Sequence, residues 1–391
     1  MVLNYVKLEN VRNHEQSEID LEPSLNIFFG PNGAGKTSIL EAISIASFSK
    51  SFITNYDQNI VRHGENYYTV EVGGSSQNGI PFTFSVYYQI GKGKEIRDIS
   101  GGTISSIELI GQIPLVVLYP DMREIIFGPP SARREFVDKI ISQTDTVYLK
   151  KLIEYKRILK QRNKLLSEIA NGDRKQIDVL SAWNKKFIQT ASYIIQQRGL
   201  FSYTFSFIVS EAFETITEGK ESLIFDYQPF DFFDFFTPEN LVVFRRYWYL
   251  DQILSILEQL LIKYAKKEIE RGITLFGPHK DDFQLLFNGN NAREVASQGQ
   301  SKSILIALKN AEVKYLQNKK NTAPIVLFDD IFSELDINRI NQVLDLMKNL
   351  KVQLLLTTTE IDKIKNIISN FENYGVYKVE SGKTIRFEHF S

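Results

Sequence analysis

Three short stretches of this chain carry residues whose type and spacing could do chemistry on a nucleotide. The first is Gly30-Pro31-Asn32-Gly33-Ala34-Gly35-Lys36-Thr37, followed by Ser38. Glycines at these positions let backbone N–H groups turn inward around phosphate oxygens, Lys36 is placed to neutralise β/γ-phosphate charge, and the Thr37 hydroxyl can reach Mg²⁺. The second is Pro324-Ile325-Val326-Leu327-Phe328-Asp329-Asp330, an apolar run ending in two carboxylates. Adjacent strand residues point to opposite faces, so the acids divide the work at the strand end. Asp329 is read as a Mg²⁺ ligand beside Thr37, and Asp330 as the base that orients and deprotonates a water, with Lys36 its catalytic partner. The third is Ala296-Ser297-Gln298-Gly299-Gln300-Ser301, which opens a helical pattern through Ile304, Leu305, Ala307, Leu308 and Val313. A hydroxyl, a glycine and a helix N-terminus together make an anion site. In isolation Ser-x-Gly-Gln could equally be a helix cap. Its place just upstream of the Asp329-Asp330 strand ties it to the same ATP chemistry.

These residues need elements to hold them. Leu25 to Phe29 reads as a buried strand running into the glycine loop, and Ser38 to Ala46 as the helix after it. Further strands are predicted at Tyr67 to Val72, Phe82 to Ile90 and Pro114 to Tyr119. From about Pro130 the pattern turns helical, with long periodicity over Asp138 to Ala170, Lys175 to Gln197 and Leu250 to Ile269. Phe225 to Phe236 is acidic and aromatic, and reads as packing, because its carboxylates would repel phosphates. Strand signals return at Phe283 to Phe287, Ile325 to Phe328, Val352 to Leu356 and Val376 to Val379. The predicted fold is α/β: an ATPase lobe assembled from both chain ends, residues 1–129 and 273–391, with a mainly helical lobe inserted over 130–272.

Composition narrows the function classes. The chain has 391 residues, enough for more than one core, and no cysteine, which excludes disulfides, thiolate metal sites and cysteine nucleophiles. Its four histidines, His14, His63, His279 and His389, show no metal-ligand spacing. No apolar run long enough for a signal peptide or membrane span is visible, so a cytoplasmic protein without a membrane is expected. A net charge of -1 means that any nucleic-acid surface must be a local patch. One candidate is the basic stretch Lys150, Lys151, Lys156, Arg157, Lys160, Arg162 and Lys164, interrupted by Glu154; Arg133 and Arg134 are others.

The order of the three stretches resembles the ABC ATPases. Ser297-Gln298-Gly299-Gln300 resembles their signature, with Gln298 where the transporter branch has glycine, and Ser333-Glu334-Leu335-Asp336 looks like the D-loop, with Ser333 and Asp336 as its polar members. Over essentially its entire length the chain is similar to the RecF family, related to the chromosome-maintenance and double-strand-break-repair ATPases. The marks are Leu8-Glu9-Asn10-Val11-Arg12-Asn13, Gly128 to Asp138, Leu159 to Leu166, Gly277-Pro278-His279-Lys280-Asp281-Asp282 and Asp329 to Asp336. Val11 and Lys280 depart conservatively from the family's phenylalanine and arginine.

The resemblance implies a weak, DNA-stimulated ATPase using ATP and Mg²⁺. It implies two copies closing head-to-tail on ATP, DNA bound at gaps or single-strand/double-strand junctions, recombinase loading in repair and replication restart, and RecR and RecO as partners. The inserted lobe is too short for its relatives' long coiled-coil arms; a two-helix arm from it would reach about 50 Å at 1.5 Å per residue. Where the family of ABC ATPases carries a switch histidine, this chain has Thr357-Thr358-Thr359, so the γ-phosphate sensor is a hydroxyl or is absent. Asp121 stands where a Q-loop glutamine is expected. Those departures and the insertion weigh against the competing class, the ATPase subunit of a membrane transporter, and no room remains after the Leu354 strand for a nuclease domain.

Overall fold

The computed structural model describes residues 1–173, 175–331, 337–359, 361, 368 and 371–387. Contacts divide the chain into two compact units, Met1–Met122 with Lys309–Ser391, and Arg123–Leu308. Compactness therefore assigns the signature stretch to the second unit, a different division from the helical pattern that bounds residues 130–272 in the sequence.

The first unit holds two sheets. Strands β1 (Val2–Val11), β2 (His14–Asp20), β4 (Tyr67–Ser75), β5 (Pro81–Gln89) and β6 (Gly93–Asp98) form an antiparallel sheet in the order β2-β1-β4-β5-β6. The other contains β3 (Leu25–Phe29), β7 (Leu115–Leu118), β11 (Ile325–Phe328), β12 (Gln353–Thr358), β13 (Tyr374–Glu380) and β14 (Lys383–Arg386), in the order β14-β13-β3-β12-β11-β7. All its pairings but β13–β14 are parallel. Strands buried on both faces are mostly apolar, which is why Leu25 to Phe28, Leu115 to Leu118 and Ile325 to Phe328 do not alternate; the polar exception, Asn26, has its amide paired with the Glu22 backbone N–H and carbonyl at 2.8 Å each. Helix α1 (Lys36–Phe48) is buried along nearly its whole length, and the short helix α2 (Ser106–Leu109) is closed by a capping box between Ser105 and Glu108.

The second unit is helical around a small sheet. It contains α3 (Glu124–Phe127), α4 (Pro130–Thr144), α5 (Thr146–Ala170), α6 (Gln176–Thr217), α7 (Pro238–Tyr247), α8 (Leu250–Arg271) and α9 (Ala292–Val295). Strands β8 (Leu223–Gln228), β9 (Asp282–Phe287) and β10 (Asn290–Asn291) pair antiparallel in the order β10-β9-β8. Helix α10 (Gln298–Lys320) starts in this unit and ends in the first, and α11 (Ile337–Asn349) belongs to the first. The helical periodicity over Asp138 to Ala170 is divided between two helices. The Asp145 carboxylate accepts the Val147 and Tyr148 N–H groups at 2.8 and 2.9 Å, capping α5 and ending α4.

The aromatic stretch packs as predicted: Phe225, Tyr227 and Phe232 are buried, and the Phe225 and Tyr227 rings lie 5.4 and 4.8 Å from Phe283. Its carboxylates pair with cations, Asp226 with Arg245 at 2.9 Å and Asp231 with Lys263 at 2.9 Å. Helix α6 runs 42 residues, roughly 63 Å at 1.5 Å per residue. Within it, Gly199 lies against the Trp248 ring, where a Cβ would fall 1.9 Å from the indole. Gly199→Ala should therefore cost about 1–3 kcal/mol by overpacking. Denaturant unfolding followed by tryptophan fluorescence measures it, and an unchanged midpoint would show that Trp248 moves aside freely.

Candidate nucleotide site

The phosphate loop links β3 to α1 at the carboxyl edge of the parallel sheet, the edge where open α/β sheets bind ligands. Gly33 and Gly35 adopt φ of 76° and 107°, left-handed backbone that side chains disfavour. A Cβ on Gly30 would meet the Val379 carbonyl oxygen at 2.2 Å, and one on Gly35 would meet His14 Nε2 at 2.6 Å. The glycines are thus required by close approach as well as by turning. Asn32 and Gly33 are exposed and Pro31 is exposed, whereas Ala34, Lys36 and Ser38 are buried.

Support under the loop comes from a residue that spacing did not single out. His14 is fully buried; its Nε2 lies 3.0 Å from the Gly35 carbonyl and its Nδ1 2.8 Å from Ser17 Oγ. A carbonyl only accepts, so Nε2 carries a proton. Burial pushes the imidazole pKa down, which favours the neutral ring. The Gly382 N–H donates to the Ala34 carbonyl at 2.9 Å, and Asn13 Nδ2 donates to the Gly33 carbonyl.

Lys36 Nζ donates to the Gly30 and Pro31 carbonyls at 2.8 and 2.9 Å. Burial lowers its pKa, opposed by Asp330 and Asp329. The Thr37 hydroxyl donates to Asp329 Oδ1 at 2.8 Å, joining positions 292 apart in sequence. Thr357 donates to the same oxygen at 2.7 Å, and its hydroxyl accepts the Asp330 N–H at 2.9 Å. Burial raises the Asp329 pKa, while Thr357, Thr37 and Lys36 work to lower it. Asp330 has φ 47°, a left-handed turn directly after the strand, so the two acids leave β11 in different directions. Asp121 lies exposed in the turn Pro120–Arg123.

In the second unit Ser297 and Gln300 cap α10 reciprocally. The Ser297 N–H donates to Gln300 Oε1 at 2.9 Å and the Gln300 N–H to Ser297 Oγ at 3.3 Å. Ser297 and Gln298 are exposed, Gly299 and Gln300 half-buried. Ser333 and Asp336 lie outside the described residues.

Three basic candidates need correction. Arg162 is 1% exposed. Its guanidinium pairs with Glu268 at 2.6 Å and stacks 4.9 Å from the Phe187 ring, so it cannot face phosphates. Arg133 is buried against Asp282 at 2.8 Å, and Arg134 is half-buried with Nη1 donating to the Asp281 carbonyl at 2.6 Å. Lys150, Lys156, Arg157, Lys160 and Lys164 are exposed along α5, and Lys151 is half-exposed beside Glu154 at 2.8 Å.

Strand order, the loop at the carboxyl edge of the sheet and the helical unit between the two chain ends are those of an ABC-type ATPase head with an inserted helical region. Residues 2–385 match the family described as RecF/RecN/SMC N terminal domain. The DNA replication and repair protein RecF of Staphylococcus aureus (strain bovine RF122 / ET3-1) is 33% identical over 387 residues, covering 99% of this chain and 100% of that protein. The solved structure of the recombination mediator protein RecF-ATP in the RecFOR pathway has TM-score 0.86 at 27% identity, over 99% of this chain and 97% of that one. An Smc head bound to the C-winged helix domain of ScpA shares the fold alone, with TM-score 0.55 and 15% identity over 99% and 98% of the two chains. The chain belongs to the RecF family.

The Arg162–Glu268 pair gives a direct test of the corrected assignment. Arg162→Met should cost about 3–5 kcal/mol of stability, because it leaves Glu268 buried without its partner. Lys160→Ala, on the same helix, should stay within about 0.5 kcal/mol. Urea unfolding of both variants checks the contrast, and equal small effects would mean that Arg162 is not structural.

Proposed function

We propose that this chain is an ATP-dependent DNA clamp of the cytoplasm. Two copies close head-to-tail on two ATP molecules, hold DNA at gaps or single-strand/double-strand junctions, and help load recombinase in recombinational repair and replication restart. The observation that carries the reading is the Thr37–Asp329 hydrogen bond, which sets the phosphate loop and the acid pair side by side. The names of the relatives, DNA replication and repair protein and recombination mediator in the RecFOR pathway, support repair as the setting and RecR and RecO as partners.

Thr37 and Asp329 offer hard oxygens of the kind Mg²⁺ takes alongside phosphates and water. No group of three His, Asp or Glu side chains forms a metal cage among the described residues, which fits an ion held largely by nucleotide. When bound, Mg²⁺ would neutralise phosphate charge. The remaining work falls to the chain. Backbone N–H groups from Gly30 to Ser38 bind the phosphates, and Lys36 turns from the loop carbonyls onto them. Asp330 orients a water and accepts its proton. Ser297, Gln298, Gly299 and Gln300 of a second copy close over the γ-phosphate with the α10 N-terminus. DNA phosphates meet Lys150, Lys151, Arg157, Lys160 and Lys164 on α5, and DNA stimulates an otherwise weak hydrolysis.

Asp330→Asn should keep ATP binding while lowering hydrolysis by about 10²–10⁴-fold, since the amide keeps shape and loses basicity. Phosphate release and light scattering then report a long-lived ATP dimer; rapid turnover by this variant would remove Asp330 from the role.

Composition in trans has its own test. Ser297→Arg should bind ATP as a monomer without dimerising, and Lys36→Met should fail earlier, at phosphate capture. A mixed dimer has one composite site with both faults and one with neither, so mixing should restore a single site's ATPase. No recovery in mixed dimers shown to form would count against the head-to-tail arrangement.

A further inference from the structure

Thr357 and Thr358, the last two residues of β12, and Thr359 stand where a switch histidine is expected, and the first of them is already committed elsewhere. A hydroxyl has one proton to donate and two lone pairs. The Thr357 proton goes to Asp329 Oδ1 at 2.7 Å, and one lone pair takes the Asp330 N–H at 2.9 Å. The residue is 1% exposed. With its donor engaged in this way, Thr357 is not the hydroxyl that senses γ-phosphate. Its position follows from strand order. β12 lies between β3 and β11, with Thr357 paired to Phe28 and Leu356 to Phe328, so residue 357 is beside the first residue beyond β11.

Two consequences meet in this one side chain. Asp329 Oδ1 receives hydroxyls from both Thr37 and Thr357, which fixes the rotation of the carboxylate. Asp330 holds a left-handed backbone, unusual for a residue with a side chain, and its N–H is anchored on Thr357 in that conformation. We propose that Thr357 is the positioning residue of the acid pair: its hydroxyl sets the Asp329 carboxylate for the metal and holds the turn that aims Asp330 at the attacking water. This rests on the ATPase reading above.

The test uses Thr357→Val, which keeps shape and β-branching but loses both hydrogen bonds, and Thr357→Ser, which keeps them. Binding of a fluorescent ATP analogue by the full chain is measured in EDTA and across a Mg²⁺ titration, alongside steady-state hydrolysis. Nucleotide affinity in EDTA should be unchanged in all three proteins. In Thr357→Val the half-saturating Mg²⁺ concentration should rise about 10–100-fold, as for lost partners of a metal ligand. Its kcat should fall while KM holds, and Thr357→Ser should restore both.

Wild-type Mg²⁺ dependence and kcat in the valine variant would overturn the inference. So would equal behaviour of valine and serine, or a valine variant equally weakened in EDTA, which would mark a merely structural role. If the valine variant does not fold, Thr357→Ala takes its place against serine on the same readouts. A wild-type chain that binds no nucleotide sinks the ATPase reading as well, whereas one that responds to Mg²⁺ and is matched by valine sinks only the role of Thr357.

Discussion

Strand β12 separates β3 from β11, and everything the nucleotide site contains depends on the parallel hydrogen bonds it makes to both. Parallel pairing brings the carboxyl ends of the three strands to one edge. The phosphate loop then follows Phe29, the acids follow Phe328, and Thr357 stands between them. No local segment could achieve this, because the strands come from opposite ends of the chain. The 292-residue gap spanned by Thr37 and Asp329 is the measure of that closure. The apolar runs of β3, β11 and β12 supply the burial that stabilises it.

Burial at that edge also sets the electrostatics. Lys36 and Asp329 are 6% and 8% exposed, and desolvation lowers the lysine pKa while raising that of the acid. Each is disfavoured in its charged form, and each is held by hydrogen bonds from within the loop or the neighbouring strand. Such a site is organised before any phosphate arrives: the Lys36 ammonium needs only to exchange two carbonyls for phosphate oxygens. Preorganised donors of this kind cost little reorganisation at the moment of reaction. The neutral His14 ring completes the design from below, steadying the loop without adding a charge that would compete with Lys36 for phosphate.

The phosphate loop, the acid strand and the signature stretch were legible because each is contiguous and each has a local physical reason for its residues. What escaped the sequence were partnerships between distant positions. Arg162 sits in a basic run and looks like its neighbours, yet it alone finds Glu268, 106 positions away, and turns inward. Gly199 meets Trp248, a contact between positions far apart that no local pattern signals. Asp145 caps α5, but the helical periodicity on both sides of it conceals the break. Thr357 was noticed as the wrong residue for a switch, and only the fold shows the two acids it joins.

The signature stretch was open to two sequence readings, a helix cap or an anion site, and the geometry removes the conflict between them. In the cap, Ser297 uses a lone pair, accepting the Gln300 N–H at 3.3 Å, while Gln300 Oε1 accepts the Ser297 N–H. Binding a phosphate oxygen would require the opposite capability, the hydroxyl proton, which the cap does not need. The cap orders the backbone at the start of α10 and leaves Ser297 exposed at its positive end. A residue that fixes the helix start through its acceptor and meets an anion through its donor can do both at once. In the proposed dimer the cap would thus be the device that keeps the anion site in shape before a second copy presents its nucleotide.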